Sequence, residues 1–139
     1  MLKIKYDVNS MKYMHLFESI TRAKPRSCFV DSLKHVVFVV YEGEIGKAIG
    51  QKGANIKRLE TLLKKKVKVI EYSTDLNQFV RNLIYPIKFK EITEEEGIIT
   101  IASEDFKSRG LLIGKSANNL RNYEDIIKKF FPIKEVKIV

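Results

Sequence analysis

Two glycines three residues apart enclose a glutamine and a lysine in the segment Gly50-Gln51-Lys52-Gly53. Because glycine has no Cβ atom, a ligand backbone can approach such a turn closely. The backbone N–H groups that open a following helix would face that ligand, and the helix dipole favours negative charge there. The segment is therefore a candidate phosphate-binding turn, although glycine pairs also mark turns and helix ends that bind nothing.

Positive charge is concentrated around this turn. The chain of 139 residues has 26 basic and 17 acidic side chains, and the basic run from Lys47 to Lys68 is opposed by Glu60 alone. Such a run is typical of a polyanion-binding surface, but residues 64–66 would also complement the dipole at the end of a helix. Charge alone leaves both interpretations open. The basic residues of the run are Lys47, Lys52, Lys57, Arg58, Lys64, Lys65, Lys66 and Lys68.

The turn has a second copy 64 residues further along the chain, since residues 49–59 (IGQKGANIKRL) align with residues 113–123 (IGKSANNLRNY). The second copy reads Gly114-Lys115-Ser116-Ala117 and so ends in alanine. A methyl group at this position can sit in a helix but would hinder the approach of a phosphate. Basic residues such as Arg121 surround this copy too. It either contacts the same ligand or is a scaffold that orients the first copy.

Strand patterns frame both copies. A largely apolar run precedes each turn, at residues 36–41 and 98–101, and predicts a strand. A short alternating or apolar segment closes each copy, at residues 67–70 and 136–139, and predicts another. Both turns are thus expected to connect secondary-structure elements that belong to a sheet-containing core.

Helical spacing of apolar residues follows each turn, and a further helix and extended segment precede each core. Pro25 and Pro86 would end the upstream helices, and the acidic residues 93–97 predict a turn. Each copy is expected to fold as helix, strand, strand, helix, helix, strand. The predicted fold class is α+β, with each small three-stranded sheet packed with helices on one face. The predicted domains are residues 1–72, an amino-terminal extension with the first core, and residues 73–139.

The glycine motif and its surroundings resemble the KH domain signature, in which an apolar residue, G-x-x-G and a second apolar residue lie in the order strand, helix, helix, strand. The resemblance implies a loop that clamps about four nucleotides of single-stranded nucleic acid. The helix and strand before each core resemble the type II variant, which implies two tandem type II KH-like domains. By this resemblance Gly50, Gln51, Lys52 and Gly53 would hold the RNA backbone, Ile49 and Ile56 would line the base groove, and Lys47, Lys57 and Arg58 would attract phosphates. The corresponding candidates of the second copy are Gly114, Lys115, Ser116 and Arg121.

Nearly the whole chain resembles the archaeal NusA-like family of transcription factors, through segments such as IGQKGANIKRLE, VIEYS, FVRNLI and the final EVKIV. The resemblance implies a transcription termination or antitermination factor that binds single-stranded nascent RNA and acts with RNA polymerase. Two alternatives stay open: a ribosome-associated or ribosome-assembly KH protein, and a protein-interaction module that docks on RNA polymerase. The sequence does not define the preferred RNA sequence or the oligomeric state.

Catalytic and metal-binding functions have little support in the sequence. Residues 110–116 resemble a G-x-x-x-x-G-K-S nucleotide loop, but their spacing is one residue short and Arg109 stands where the first glycine belongs. We find no pairing of a nucleophile with a base. Cys28 is the single cysteine and is expected in the core. With only two histidines present, we expect no metal site, no cofactor and no enzymatic activity.

The sequence also lacks features of a membrane or secreted protein. Its longest apolar run has six residues, 36–41, whereas a membrane-spanning helix needs about 20. The charges of Lys3, Lys5 and Asp7 interrupt the amino terminus, so that we expect no secretory signal. The sequence therefore predicts a cytoplasmic protein with no membrane partner.

Overall fold

A computed structural model describes residues 8–139. The chain forms two compact units that divide between Ser73 and Thr74. Lys3, Lys5 and Asp7, on which the expectation about a secretory signal rests, lie outside the described residues. Within residues 8–139, no helix combines the length and the apolar character that crossing a membrane requires.

The first unit has the order helix, strand, strand, helix, helix, strand. Its elements are α1 (Val8–Thr21), β1 (Pro25–Val30), β2 (Val36–Val40), α2 (Ile45–Ile49), α3 (Ala54–Leu63) and β3 (Val67–Glu71). The sheet order is β1-β2-β3, with β2 antiparallel to β1 and parallel to β3. A parallel neighbour requires a crossover connection, which α2 and α3 provide. The candidate turn is therefore part of the crossover between the two parallel strands.

An apolar core holds the helices of the first unit on its sheet. Phe17 of α1 stacks on Phe38 of β2, with ring centroids 4.3 Å apart and an interplanar angle of 20°. Cys28 is fully buried in the same cluster, as the sequence predicts. Ala48 of α2 and Leu59 of α3 are buried there too, so that both helices flanking the candidate turn are anchored in one core.

The second unit repeats this order and sheet topology. Its elements are α4 (Leu76–Ile84), β4 (Phe89–Glu95), β5 (Ile98–Ser103), α5 (Phe106–Ile113), α6 (Asn118–Lys128) and β6 (Glu135–Ile138). The central strand β5 is antiparallel to β4 and parallel to β6. Ile99 and Ile101 of β5 are fully buried, and Phe79 of α4 packs against Phe130 and Phe131 with ring centroids 5.2 and 5.4 Å apart.

The prediction of an acidic turn at residues 93–97 is wrong for three of its five residues. Residues 93–95 belong to β4 and pair with β5, so that the turn consists of Glu96 and Gly97, with φ of 52° and 84°. Two consecutive residues with positive φ are the requirement of a tight type I′ hairpin. Exposed strand residues need not be apolar, and the acidic side chains of β4 are solvated.

A repeated contact ties the helix after each turn to the closing strand. The Glu60 carboxylate accepts a hydrogen bond from the Val67 N–H at 2.9 Å. The Glu124 carboxylate accepts one from the Val136 N–H at 2.9 Å in the second unit. The carboxylate of Glu60, the one acidic residue in the basic run, is therefore engaged with the start of β3.

Candidate functional site

The segment between α2 and α3 is a tight loop, residues 50–53, in which three residues have positive φ. Gly50 has φ 75° and ψ 174°, Lys52 has φ 53° and ψ 29°, and Gly53 has φ 73° and ψ 19°. The Gly53 N–H donates to the Gly50 carbonyl at 3.2 Å and closes the loop. The left-handed conformation is energetically unfavourable for a residue that has a Cβ atom, and in this loop Lys52 is such a residue.

The two glycines of this loop are required for different reasons. A Cβ atom at Gly50 would lie 2.9 Å from the Asn55 Cγ, so the protein itself excludes a side chain there. At Gly53 nothing lies within 4 Å of an added Cβ atom. Gly53 is favoured by its positive φ, and its bare Cα leaves open space on the outer side of the loop. An external backbone can therefore approach the loop at Gly53.

The helix that follows the loop lacks a side-chain cap. Gly53 occupies the N-cap position of α3 and supplies no side-chain acceptor. In contrast, Asp75 caps α4 by accepting from the Gln78 N–H at 2.9 Å, and Asp105 caps α5 by accepting from the Ser108 N–H at 2.7 Å. The first N–H groups of an α-helix have no partner within the helix. At α3 the first of them, the Ala54 N–H, donates to the Gln51 carbonyl, and the helix dipole favours an external anion at this end of the helix.

Exposed cations surround the loop, but they are not equivalent. Lys52, Lys57 and Arg58 are exposed. Lys47 is exposed too, but its Nζ lies 3.6 Å from the Glu44 carboxylate, which offsets its charge. Lys68, which the sequence places in the basic run, is half-buried on β3, and burial lowers its pKa, an effect that Asp31 partly opposes. Lys68 therefore does not belong to the exposed basic surface.

The two apolar residues of the motif remain accessible. Ile49, the last residue of α2, is 38% exposed, and Ile56 in the first turn of α3 is half-buried. Their neighbours Ala48 and Leu59 are fully buried in the core. Ile49 and Ile56 thus offer aliphatic surface beside the loop, which is what a nucleobase face would contact.

The second loop, residues 114–117, has nearly the same backbone conformation. Gly114 has φ 75° and ψ 177°, Ser116 has φ 52° and ψ 33°, and Ala117 has φ 61° and ψ 24°. Ala117 therefore precedes α6 in the left-handed region and not in a right-handed helical conformation. α6 has no side-chain cap at this residue. Lys115 and Ser116 are exposed in the loop, and Arg121 is exposed in the first turn of α6.

Sequence reasoning missed one residue in each loop region. Asn55 donates from Nδ2 to the Lys47 carbonyl at 2.8 Å, and Asn119 donates from Nδ2 to the Leu111 carbonyl at 2.9 Å. The two asparagines occupy the same position in the aligned repeat. Their identity in the two copies was the available signal, but each contact joins residues eight apart and cannot be read from periodicity.

The described residues provide no group of three or more histidine, cysteine, aspartate or glutamate side chains that could hold a metal ion. His35 lies 3.6 Å from the Asp31 carboxylate, and the same carboxylate accepts from the Leu33 and His35 N–H groups in the turn before β2. His15 is exposed on α1. Asp31 and His35 therefore have a structural role in this turn.

Comparison with known proteins gives one family and one fold. The family model described as KH domain matches residues 12–96, which include most of the first unit and continue through α4 and β4. A solved structure, the crystal structure of APE1850, has 32% sequence identity and a TM-score of 0.77, covering 96% of this chain and 100% of that chain.

Archaeal relatives match over almost the full length, and each bears the name "Probable transcription termination protein NusA". The protein of Methanococcus vannielii is 32% identical over 141 residues, which cover 99% of this chain and 81% of the relative. That of Methanocaldococcus jannaschii is 29% identical over 142 residues, with coverages of 100% and 77%. That of Halococcus morrhuae is 26% identical over 139 residues, with 99% of both chains covered.

Proposed function

The chain belongs to the KH domain family, as an archaeal NusA-like member with an α+β, KH-like fold, and from that premise we propose that it binds single-stranded nascent RNA as a transcription termination or antitermination factor. The observation that carries the proposal is the loop at residues 50–53. It opens an uncapped helix, leaves space at Gly53 and has Lys52 exposed at its centre.

The proposed mode of binding follows from the loop geometry. A ribose-phosphate backbone lies against Gly50 and Gly53, where the second glycine presents no Cβ atom to it. Gln51 and Lys52 contact the phosphates that lie between the two glycines, and the dipole of α3 favours negative charge at this end of the helix. Bases turn toward the aliphatic side chains of Ile49 and Ile56. Lys47, Lys57 and Arg58 attract the surrounding phosphates. The attraction by Lys47 is the weaker one because its charge is offset by the ion pair with Glu44.

We also propose that both units are type II KH domains, in residues 1–72 and 73–139. The support is their common order of elements, their common sheet topology and the matching φ and ψ of their loops. In the second domain Gly114, Lys115, Ser116 and Arg121 form a second RNA contact. Because the Ala117 methyl group stands where Gly53 is bare, this contact is the weaker one.

The partners are single-stranded RNA and, through the nascent transcript, RNA polymerase. The mechanism proposed here uses no metal, cofactor or catalytic residue. A direct contact with polymerase predicts co-purification that survives nuclease treatment, whereas contact through RNA alone is lost. A ribosomal role instead predicts co-sedimentation with ribosomal subunits.

In vitro transcription across a terminator, with an archaeal RNA polymerase, tests the role in transcription. We expect the wild-type protein to change the fraction of transcripts that end at the terminator. The Q51D/K52D variant should have no effect, because two carboxylates then face the phosphates. If neither protein changes this fraction although the wild type binds single-stranded RNA, the proposed role in transcription is wrong and the proposed RNA binding is retained.

A further inference from the structure

Asn55 connects the two helices that flank the first loop. It is the second residue of α3, and its Nδ2 donates to the carbonyl of Lys47 in α2 at 2.8 Å. The hydrogen bond therefore spans the loop from outside, without involving residues 50–53 directly. It also occupies a carbonyl near the end of α2, where the last carbonyls of a helix lack partners.

The same connection exists in the second unit, where the Asn119 Nδ2 donates to the Leu111 carbonyl at 2.9 Å. The two loops share only their first residue, because Gln-Lys-Gly in one corresponds to Lys-Ser-Ala in the other. Their backbone angles nevertheless nearly coincide. A feature common to both surroundings must hold this conformation, and the asparagine bridge is such a feature.

The asparagine also fills the space behind the first glycine of each loop. A Cβ atom at Gly50 would lie 2.9 Å from the Asn55 Cγ, and one at Gly114 would clash both with the Asn118 Oδ1 and with the Asn119 Cγ, the latter at 2.6 Å. The side-chain amide thus packs directly against the glycine backbone. The first glycine and the asparagine depend on each other, since the amide fits only where the Cβ atom is missing.

We propose that Asn55 and Asn119 are positioning residues, which hold the two loops in their RNA-binding conformation before RNA arrives; this rests on the proposed function. Both loops contain non-glycine residues in the left-handed region, Lys52 in the first and Ser116 and Ala117 in the second. Such residues return to right-handed conformations unless their surroundings prevent it. A loop that is already ordered saves the free energy of ordering it on binding.

The N55A variant tests the proposal, and N77A is its matched control. Asn77 also donates from its side chain to a backbone carbonyl, that of Ile92 at 2.6 Å, but it lies in α4. We expect N55A to weaken binding of a short single-stranded RNA about fivefold, the effect of one side-chain hydrogen bond. N77A should bind as the wild type does. Because asparagine is neutral, the slope of log affinity against log salt should not change in N55A, in contrast to removal of Lys52.

Amide hydrogen exchange without RNA provides a readout that does not depend on the proposed function. The Gly53 amide is bonded to the Gly50 carbonyl, and we expect its exchange rate to rise in N55A and to stay at the wild-type value in N77A. In the N119A variant the exchange rate of the Ala117 amide should rise in the same way. Unchanged exchange and unchanged affinity in N55A would overturn the proposal. If wild-type protein fails to bind single-stranded RNA, the proposed function is wrong, and the exchange comparison still decides the positioning role.

Discussion

Ala117 adopts nearly the backbone conformation of Gly53, with φ 61° and ψ 24° in place of φ 73° and ψ 19°. The two residues occupy equivalent positions in the two loops. The second loop therefore has the shape of the first despite the loss of its glycine. At this position the two loops differ by one methyl group on a strained residue, and substitutions at both positions can measure its effect.

The A117G variant should stabilise the second unit. Relief of the left-handed strain outweighs the added entropy of an unfolded glycine, so that we expect the free energy of unfolding to rise by up to about 1 kcal/mol. If the methyl group hinders RNA, affinity should also rise. Urea denaturation and fluorescence anisotropy measure the two effects. The reciprocal G53A variant should lose both stability and affinity, and a gain in either would contradict this account of the loop.

Gly50 and Asn55 should be energetically coupled. The G50A substitution forces a Cβ atom to within 2.9 Å of the Asn55 side chain, in addition to its strain at positive φ. In an N55A background the clash with the side chain disappears and only part of the penalty remains. A double-mutant cycle on the free energy of unfolding should give a coupling between about 0.5 and 3 kcal/mol. Additive penalties would show that the two residues do not depend on each other.

The exposed cations beyond the loop should contribute to binding of longer RNA. Residues 64–66 are exposed at the end of α3, where the three lysines outnumber the nearby Glu60 carboxylate, which accepts a hydrogen bond from the Val67 N–H. The K65E variant should lower affinity for a long single strand more than for a tetranucleotide, and reduce the salt slope. K90E, at an exposed position of β4, has the same change in net charge and is the control. Equal effects of K65E and K90E would mean that the attraction is nonspecific.

The cap of α5 should make the second unit sensitive to acid. Hydrogen bonding from Ser108 lowers the pKa of Asp105 below its ordinary value of 3.8. A carboxyl group whose pKa is lower in the folded state stabilises that state fully above the unfolded pKa, and this contribution is lost as the pH falls through the folded pKa. Unfolding measured by denaturation at pH 7 and near pH 3 should show a smaller acid loss in D105N, because asparagine can cap without a charge. If the free energy of unfolding falls between pH 7 and pH 3 as much in D105N as in the wild type, groups other than Asp105 cause the decrease.

The sequence predicts the repeated order of elements because periodicity and the internal repeat report on burial, and Cys28 is buried as expected, in one cluster with Phe17 and Phe38. It fails at residues 93–95, since solvated acidic residues on an exposed strand carry no apolar pattern. The tertiary contacts of the site also cannot be predicted from the sequence. The bond from Asn55 to Lys47 joins α3 to α2, and so it depends on the angle between these two helices.

The central claim is that the loop at residues 50–53 holds single-stranded RNA, and fluorescence anisotropy across a salt series tests it most directly. The titrations compare single-stranded RNA, duplex RNA and single-stranded DNA, with the wild type and with Q51D/K52D. We predict that the wild type prefers single-stranded RNA, that its log affinity falls with log salt by about 0.7 per phosphate neutralised, and that the folded variant does not bind. A folded variant with wild-type affinity, or a wild type that binds all three nucleic acids equally, would contradict the claim.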